Sequence, residues 1–322
     1  MKEIPVINLA EAASEKDRER IVKTFGEAFE EIGFVFIHAP EITQELPLIY
    51  KSFRQFFDLS EKIKTKYERE EFGYQIGWTP RYKEVGIACR HLGTNGLGIG
   101  DSKESYFMRK PELPIGHPLT INCPLYYPPG GNIWPDETPE LKNAMETLYS
   151  LLKNVGWNIF PLLESCLDKH EGFFMNMVSD APSALRAIYY PPVTAERSKE
   201  IIWGCQHTDI NLITILPAST RPGLKIRRRD GIWIDGIAPP NCVIAQVGDM
   251  LEYLTAGRLM SAAHKVEAPK EGTTEGRLSG ALFIHANPQT LFQTENPMYP
   301  PKTAYQMLDE RLTGINLSES KK

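Results

Sequence analysis

The sequence predicts a mixed α+β protein: a helical N-terminal layer, an all-β back half and a C-terminal helix. Three observations lead there. Apolar residues recur at helical spacing before residue 60 and again over 141–163. From Leu185 to about Asn287 the chain breaks into short strands divided by turns bearing Gly and Pro. Helical spacing then returns at 304–312.

Taken in order, Ser14 with Asp17 three residues on resembles a capping box. Ile21, Val22, Phe25, Phe29 and Ile32 follow on one helical face. Gly33 ends that helix, and Phe34-Val35-Phe36-Ile37 reads as a short buried strand. Leu46, Ile49, Tyr50, Phe53, Phe56 and Phe57 mark a second amphipathic helix, and Ser60-Glu61 starts a short third one. Residues 68–135 read as irregular. Thr138-Pro139-Glu140 opens a long helix with Pro at its first position, and the helix runs to about Leu167. Strands are expected at 185–190, 204–216, 224–228, 232–237, 242–247, 264–268 and 277–285. Arg229-Asp230-Gly231 makes a hairpin turn between two of them. Strands of this length and spacing point to a β-sandwich or a jelly roll. After the last helix the tail frays into Ser318-Glu319-Ser320-Lys321-Lys322.

Composition narrows the function classes. Of 322 residues, 42% are apolar and 24% charged, which excludes a disordered chain, a collagen-like repeat and a disulfide scaffold. Thirty-six basic against 41 acidic residues give a net charge of −5, which argues against binding nucleic acid through its phosphates. No apolar run approaches the roughly 20 residues of a bilayer span. Residues 1–10 hold one Lys and no apolar stretch of signal-peptide length, so a soluble, cytoplasmic protein without a membrane partner is expected. The five cysteines (Cys89, Cys123, Cys166, Cys205 and Cys242) are odd in number and include no Cys-x-x-Cys pair. That argues against a thiolate zinc site and a disulfide framework, and packed thiols are expected. The sequence sets no oligomeric state.

The chemistry is concentrated in Gln206-His207-Thr208-Asp209-Ile210. Residues two apart on a strand share a face, so His207 and Asp209 can present an imidazole and a carboxylate to one ion. His264, which begins a later strand, is the best third donor. Two His and one carboxylate leave three positions open, the facial triad of non-haem Fe(II) oxygenases. The alternative for His-x-Asp alone is a polar pair at a strand end. Arg277 and Ser279 form a second such pair, thirteen residues beyond His264. A guanidinium fork and a hydroxyl facing inward suit a carboxylate, whereas an inward Arg without an anion is costly. Metal and clamp together imply an α-keto acid bound through its keto end. Phe283 and His285 continue the same face and are equally consistent with lining a substrate pocket or with core packing. Cys205 shares the face of His207 and could line the pocket, though a packed core thiol is the preferred reading. Gly96-x-Gly98-x-Gly100 reads as a loop and Arg227-Arg228-Arg229 as a solvated hairpin tip. Tyr74, Trp78, Arg81 and Tyr106 read as packing residues that border the site at most.

His207-x-Asp209, His264 and Arg277-x-Ser279, in that order, resemble the iron and 2-oxoglutarate motifs of the isopenicillin N synthase-like dioxygenases. Ile4-Pro5-Val6-Ile7-Asn8-Leu9, Phe56-Phe57-Asp58-Leu59-Ser60-Glu61-Lys62, Lys103-Glu104-Ser105-Tyr106, Asn132-Ile133-Trp134-Pro135 and Gly248-Asp249-Met250-Leu251 are similar to further landmarks of that family. Tyr189-Tyr190-Pro191-Pro192 is similar to the strand whose Tyr, here Tyr190, helps hold the keto acid. There are departures too. His38-Ala39-Pro40 stands where plant members usually have Asn-His-Gly. Ile188 stands where they usually have an Asn that contacts the cosubstrate. The interval from His264 to Arg277 is a few residues longer than usual.

The resemblance implies a double-stranded β-helix (jelly-roll) core with a helical N-terminal layer and a C-terminal helix. The corresponding division is 1–118 as N-terminal region, 119–181 as long helix and connector, 182–288 as catalytic core and 289–322 as C-terminal helix and tail. It also implies an enzyme that uses Fe(II), 2-oxoglutarate and O2 to oxidise a small molecule, by hydroxylation or related chemistry, and releases succinate and CO2. His207, Asp209 and His264 would hold iron, and Arg277, Ser279 and Tyr190 the cosubstrate. Two alternatives stay open: an iron oxidase of the same fold in which Arg277 and Ser279 bind the substrate's own carboxylate, and a non-catalytic jelly-roll binding module.

Overall fold

The computed structural model describes residues 1, 3–84, 101–110 and 130–314. The front half contains β1 (Val6–Ile7), α1 (Glu15–Glu31), β2 (Phe34–His38), α2 (Pro40–Phe57), α3 (Glu61–Lys64), β3 (Gly77–Thr79), β4 (Glu104–Arg109), α4 (Glu140–Cys166) and α5 (Phe173–Val178). The back half contains β5 (Ala184–Tyr190), β6 (Gly204–His207), β7 (Ile213–Leu216), β8 (Leu224–Arg227), β9 (Trp233–Asp235), β10 (Cys242–Val247), α6 (Asp249–Leu254), β11 (His264–Val266), β12 (Arg277–Ile284), β13 (Leu291–Phe292), β14 (Lys302–Thr303) and α7 (Ala304–Gly314). Gly96-x-Gly98-x-Gly100, Cys89, Cys123 and the tail 318–322 lie outside the described residues.

Two sheets face each other. The larger runs β1-β2-β10-β7-β12-β5-β4-β3 and the smaller β6-β11-β8-β9, antiparallel except where β1 joins β2. Their facing sides meet through Phe34, Phe36 and Ile244 against Leu224 and Ile226, and through Ile188, Tyr190 and Ala281 against Val266. This is the expected jelly roll. The other face of the large sheet carries the helical layer, where α1 and α2 pack on α4 and α4 packs on β7 and β12.

The period of two along each strand divides the residues between these environments. On β12, Leu278, Leu282 and Ile284 join the core beneath the helices, while Arg277, Ser279, Ala281 and Phe283 face the cavity between the sheets. Gly280 sits where a Cβ would come 3.2 Å from Leu148 of α4, so its small size lets the helix approach. Along β2, Val35 and Ile37 likewise point to the helices and Phe34 and Phe36 to the smaller sheet.

The structure corrects several readings of the sequence. Residues 68–135 are not irregular throughout: β4 is fully buried and pairs with β5 along its whole length. Its alternation is hidden because buried positions carry Glu104, Ser105 and Arg109. Glu104 accepts from Lys64 Nζ at 2.6 Å and Trp78 Nε1 at 2.8 Å, which makes its burial tolerable. Ser14 does precede α1, but its side chain makes no capping bond. Cys205 is not a packed thiol but is disulfide-bonded; Cys166 and Cys242 are the free cysteines among the described residues. Among these residues no helix is long and apolar enough to cross a membrane.

Gly33 closes α1 with φ +77°, its N–H donating to Ala28 O at 2.9 Å. A Cβ there would fall 2.3 Å from the carbonyl oxygen of Met260. Gly33→Ala is therefore expected to cost about 2 kcal/mol or more, through left-handed strain plus overpacking. Urea unfolding of the variant and the parent measures the difference.

Candidate active site

His207 and His264 are directly opposite one another on the antiparallel pair β6/β11, with ring centroids 4.3 Å apart. Asp209 reaches them by a different route from the one the sequence suggests. The expected strand 204–216 is two strands in different sheets, β6 and β7, and Asp209 lies in the crossing between them. Its carboxylate, not strand pleat, brings it into place. Oδ2 accepts from Gln246 Nε2 on β10 and Thr214 Oγ1 on β7. Oδ1 is left facing His207 Nε2 at 3.6 Å and His264 Nε2 at 3.7 Å.

Each imidazole is oriented by its other nitrogen. Nδ1 of His207 donates to Cys205 O at 2.7 Å and Nδ1 of His264 to Ala262 O at 3.1 Å, so both Nε2 atoms present lone pairs inward. Lost solvation on the cavity side and the neighbouring His264 push the His207 pKa down to about 4, which keeps that ring neutral although part of its edge is exposed. Burial alone would raise the Asp209 pKa, but the two imidazoles and the Thr214 hydroxyl outweigh it and hold the carboxyl below its ordinary value. All three ligand atoms lie within 4.8 Å of one another. Two donors bound ~2.1 Å from one ion stand at most ~4.2 Å apart, and both Asp–His separations fall inside that span. The donor set fits a divalent transition metal.

The same cavity, about 200 Å³, contains Arg277, Ser279 and Tyr190. Arg277 is buried, and burial lowers its pKa. Its guanidinium lies 4.9 Å above the Tyr190 ring and its Nε donates to Arg221 O at 2.9 Å. Nη1 is buried with no hydrogen-bond partner. A cation held this way is costly unless an anion joins it, so the residues present fit a cosubstrate carboxylate. Apolar residues Ile188, Leu216, Leu224, Ile244 and Val266 complete the wall.

A second cavity of about 140 Å³ adjoins the triad. It shares His207, Asp209 and Phe283 with the first and adds His285, Cys205, Phe107, Leu308 and Leu312. Phe283 thus borders both cavities. Tyr74, Trp78, Arg81 and Tyr106 border neither; Trp78 and Tyr106 are core residues.

Sequence reading missed several contributors. Lys103 joins Asp101 and Glu84 in a buried network, and Arg186 bonds to Glu84 and, at 3.0 Å, to Ser105 Oγ. Asp101 accepts from Cys205 N at 2.9 Å, and Cys205 O in turn holds His207. Thr214 and Gln246 were findable as lone polar residues on the inward face of apolar strands. Asp101 and Lys103 are two residues apart, but the partners that complete the network, Glu84 and Arg186, are distant in sequence and give no local signal.

Two imidazoles and one carboxylate leave half of an octahedral ion's positions for keto acid and oxygen, and within a jelly roll this defines a non-haem iron oxygenase. Comparison with known proteins goes further. The model of the 2OG-Fe(II) oxygenase superfamily matches residues 181–286, and that described as "non-haem dioxygenase in morphine synthesis N-terminal" matches 4–137. The chain belongs to the 2OG-Fe(II) oxygenase superfamily, in its isopenicillin N synthase-like branch, and is an Fe(II)- and 2-oxoglutarate-dependent oxidoreductase.

A crystal structure of a 2OG-Fe(II) oxygenase family protein from Caulobacter crescentus superposes with a TM-score of 0.80 at 28% identity, covering 98% of this chain and all of that one. A probable iron/ascorbate oxidoreductase of Dictyostelium discoideum is 28% identical over 316 residues, 89% of this chain and 82% of the relative. A flavonol synthase/flavanone 3-hydroxylase of Eustoma exaltatum subsp. russellianum is 27% identical over 307 residues, 92% and 81% respectively. These matches favour the 2-oxoglutarate reading over the oxidase that uses none.

Burial, and to a lesser degree Arg109, push the His285 pKa down to about 3. In the unfolded chain the ring titrates near 6.5, so between these values the unfolded state binds the extra proton. Stability from this group is therefore complete above about pH 6.5 and falls as pH drops, at up to about 1.4 kcal/mol per unit. His285→Gln is expected to remove about 2 kcal/mol of the stability difference between pH 7 and pH 5, measured by urea unfolding at both. An unchanged difference contradicts a neutral, buried ring.

Proposed function

We propose that His207, Asp209 and His264 hold Fe(II), that Arg277 and Ser279 grip the far carboxylate of 2-oxoglutarate with Tyr190 beside them, and that Phe283 and His285 face a small-molecule substrate in the second cavity. The observation that carries this reading is the presence, in one cavity, of three convergent donors and a buried guanidinium with a free Nη1. The flavanone-oxidising relative supports a small organic substrate. The division at 182–288 as catalytic core is supported by the family match over 181–286.

When bound, Fe(II) with 2-oxoglutarate supplies the oxidation: O2 is consumed, the keto acid leaves as succinate and CO2, and one oxygen atom's oxidising capacity goes to the substrate. The chain's own residues prepare that chemistry. The Cys205 and Ala262 carbonyls hold both imidazoles with Nε2 inward. Gln246 and Thr214 occupy Asp209 Oδ2 and leave Oδ1 toward the ion. Arg277 stacks on Tyr190, which fixes the fork that receives the acid. The apolar wall keeps bulk water from the reacting centre.

Asp209→Ala is expected to abolish Fe(II)-dependent succinate formation from 2-oxoglutarate; full succinate output would sink the assignment. Arg277→Lys keeps the charge but loses the planar fork. Losing one charge-assisted hydrogen bond corresponds to roughly a 10- to 100-fold higher KM for 2-oxoglutarate, read in the same assay. An unchanged KM would place the acid elsewhere.

A further inference from the structure

We propose that Arg311 is a positioning residue that couples the docking of α7, one wall of the second cavity, to the geometry of the metal ligands. The proposal rests on the triad as the metal site. Arg311 Nη1 donates to the backbone oxygen of Thr208, the residue between two of the ligands, at 2.6 Å. Nη2 reaches Thr208 Oγ1 at 3.3 Å and the Asp249 carboxylate.

Asp249 in turn touches both segments that carry ligands. Its N–H donates to Asp209 O at 2.7 Å, its Oδ2 accepts from Thr208 Oγ1 at 3.2 Å, and its Oδ1 accepts from Ser261 Oγ at 2.6 Å, three residues before His264. One guanidinium–carboxylate pair therefore gathers the His207–Asp209 crossing and the approach to His264.

The same helix face looks the other way into the second cavity. Leu308, Arg311 and Leu312 lie at i, i+3 and i+4 and all line it, and both leucines are buried. Moving α7 breaks the fork on Thr208, and releasing the fork frees the peptide between two ligands. Coupling of this kind is reciprocal: if docked α7 favours the ligand geometry that binds metal, then metal favours docked α7. A Lys at 311 would keep the charge but reach only one of the acceptors at a time.

The test uses the full chain with Co(II) as the metal probe. Metal affinity is read by visible absorption, and amide hydrogen exchange of residues 304–314 is followed with and without Co(II). Co(II) is expected to slow that exchange in the parent. Arg311→Ala is expected to bind Co(II) about 5- to 150-fold more weakly and to lose the metal-dependent slowing, with Arg311→Lys intermediate. A purely structural role would shift only the unfolding midpoint. If the Ala variant loses cooperative unfolding, Thr208→Val, which removes one acceptor, is expected to move both readouts in the same direction by less. Parent-like affinity and parent-like metal-dependent protection in the variants that fold overturn the coupling. A parent chain that binds no Co(II) overturns the metal site itself, and the coupling with it.

Discussion

The structure depends on a pairing across one pair of antiparallel strands, where His207 on β6 faces His264 on β11. That register puts two imidazoles within reach of one point without help from any loop. A slip of one residue would send one of them to the other face of the sheet. The third donor lies on neither strand. It comes from the crossing between sheets, and Asp209 stays there because Thr214 and Gln246, on the other sheet, hold one carboxylate oxygen. The centre is thus built at the seam where both sheets contribute.

The rest of the jelly roll follows from the same alternation. Strands such as β12 carry apolar residues toward the helices and a mixed set toward the cavity, so one strand supplies both core and site. The helical layer buries one side of the large sheet and leaves the opposite side free to line a chamber. Buried charges such as Lys103, between Asp101 and Glu84, are met by opposite charge. Arg277 instead has a buried Nη1 with no partner, and a bound acid is the natural resolution.

How much of this was legible in the sequence differed by residue. His207-x-Asp209 and Arg277-x-Ser279 stand out as unusual side chains two apart, although Asp209 lies between strands, and His264 follows as the best of the remaining histidines. The strands at 242–247 and 277–285 were legible because apolar residues dominate them. By contrast, β4 was hidden by its buried polar residues, and the split of 204–216 by the alternation of Ile210 and Leu212 with polar residues, which reads as a continuing strand. Within the Asp101–Lys103–Glu84–Arg186 network only Asp101 and Lys103 are sequence neighbours; the links to Glu84 and Arg186, and the contact from Arg311 to Thr208, join residues that only the finished fold brings together.

The inward positions of β12 also act as a ruler. Arg277, Ser279, Ala281 and Phe283 stand at successive rungs about 6.8 Å apart, with Phe283 nearest Thr214 and hence the carboxylate it holds. If Arg277 grips the far carboxylate as proposed, the rung that bears the guanidinium sets how long a diacid must be to touch both ends of the chamber. Evolution can change that length only in coarse steps, by moving the Arg a whole pleat, and finer trimming falls to side-chain rotamers. A shift toward a shorter or longer acid would therefore leave its mark as a paired exchange on this one strand.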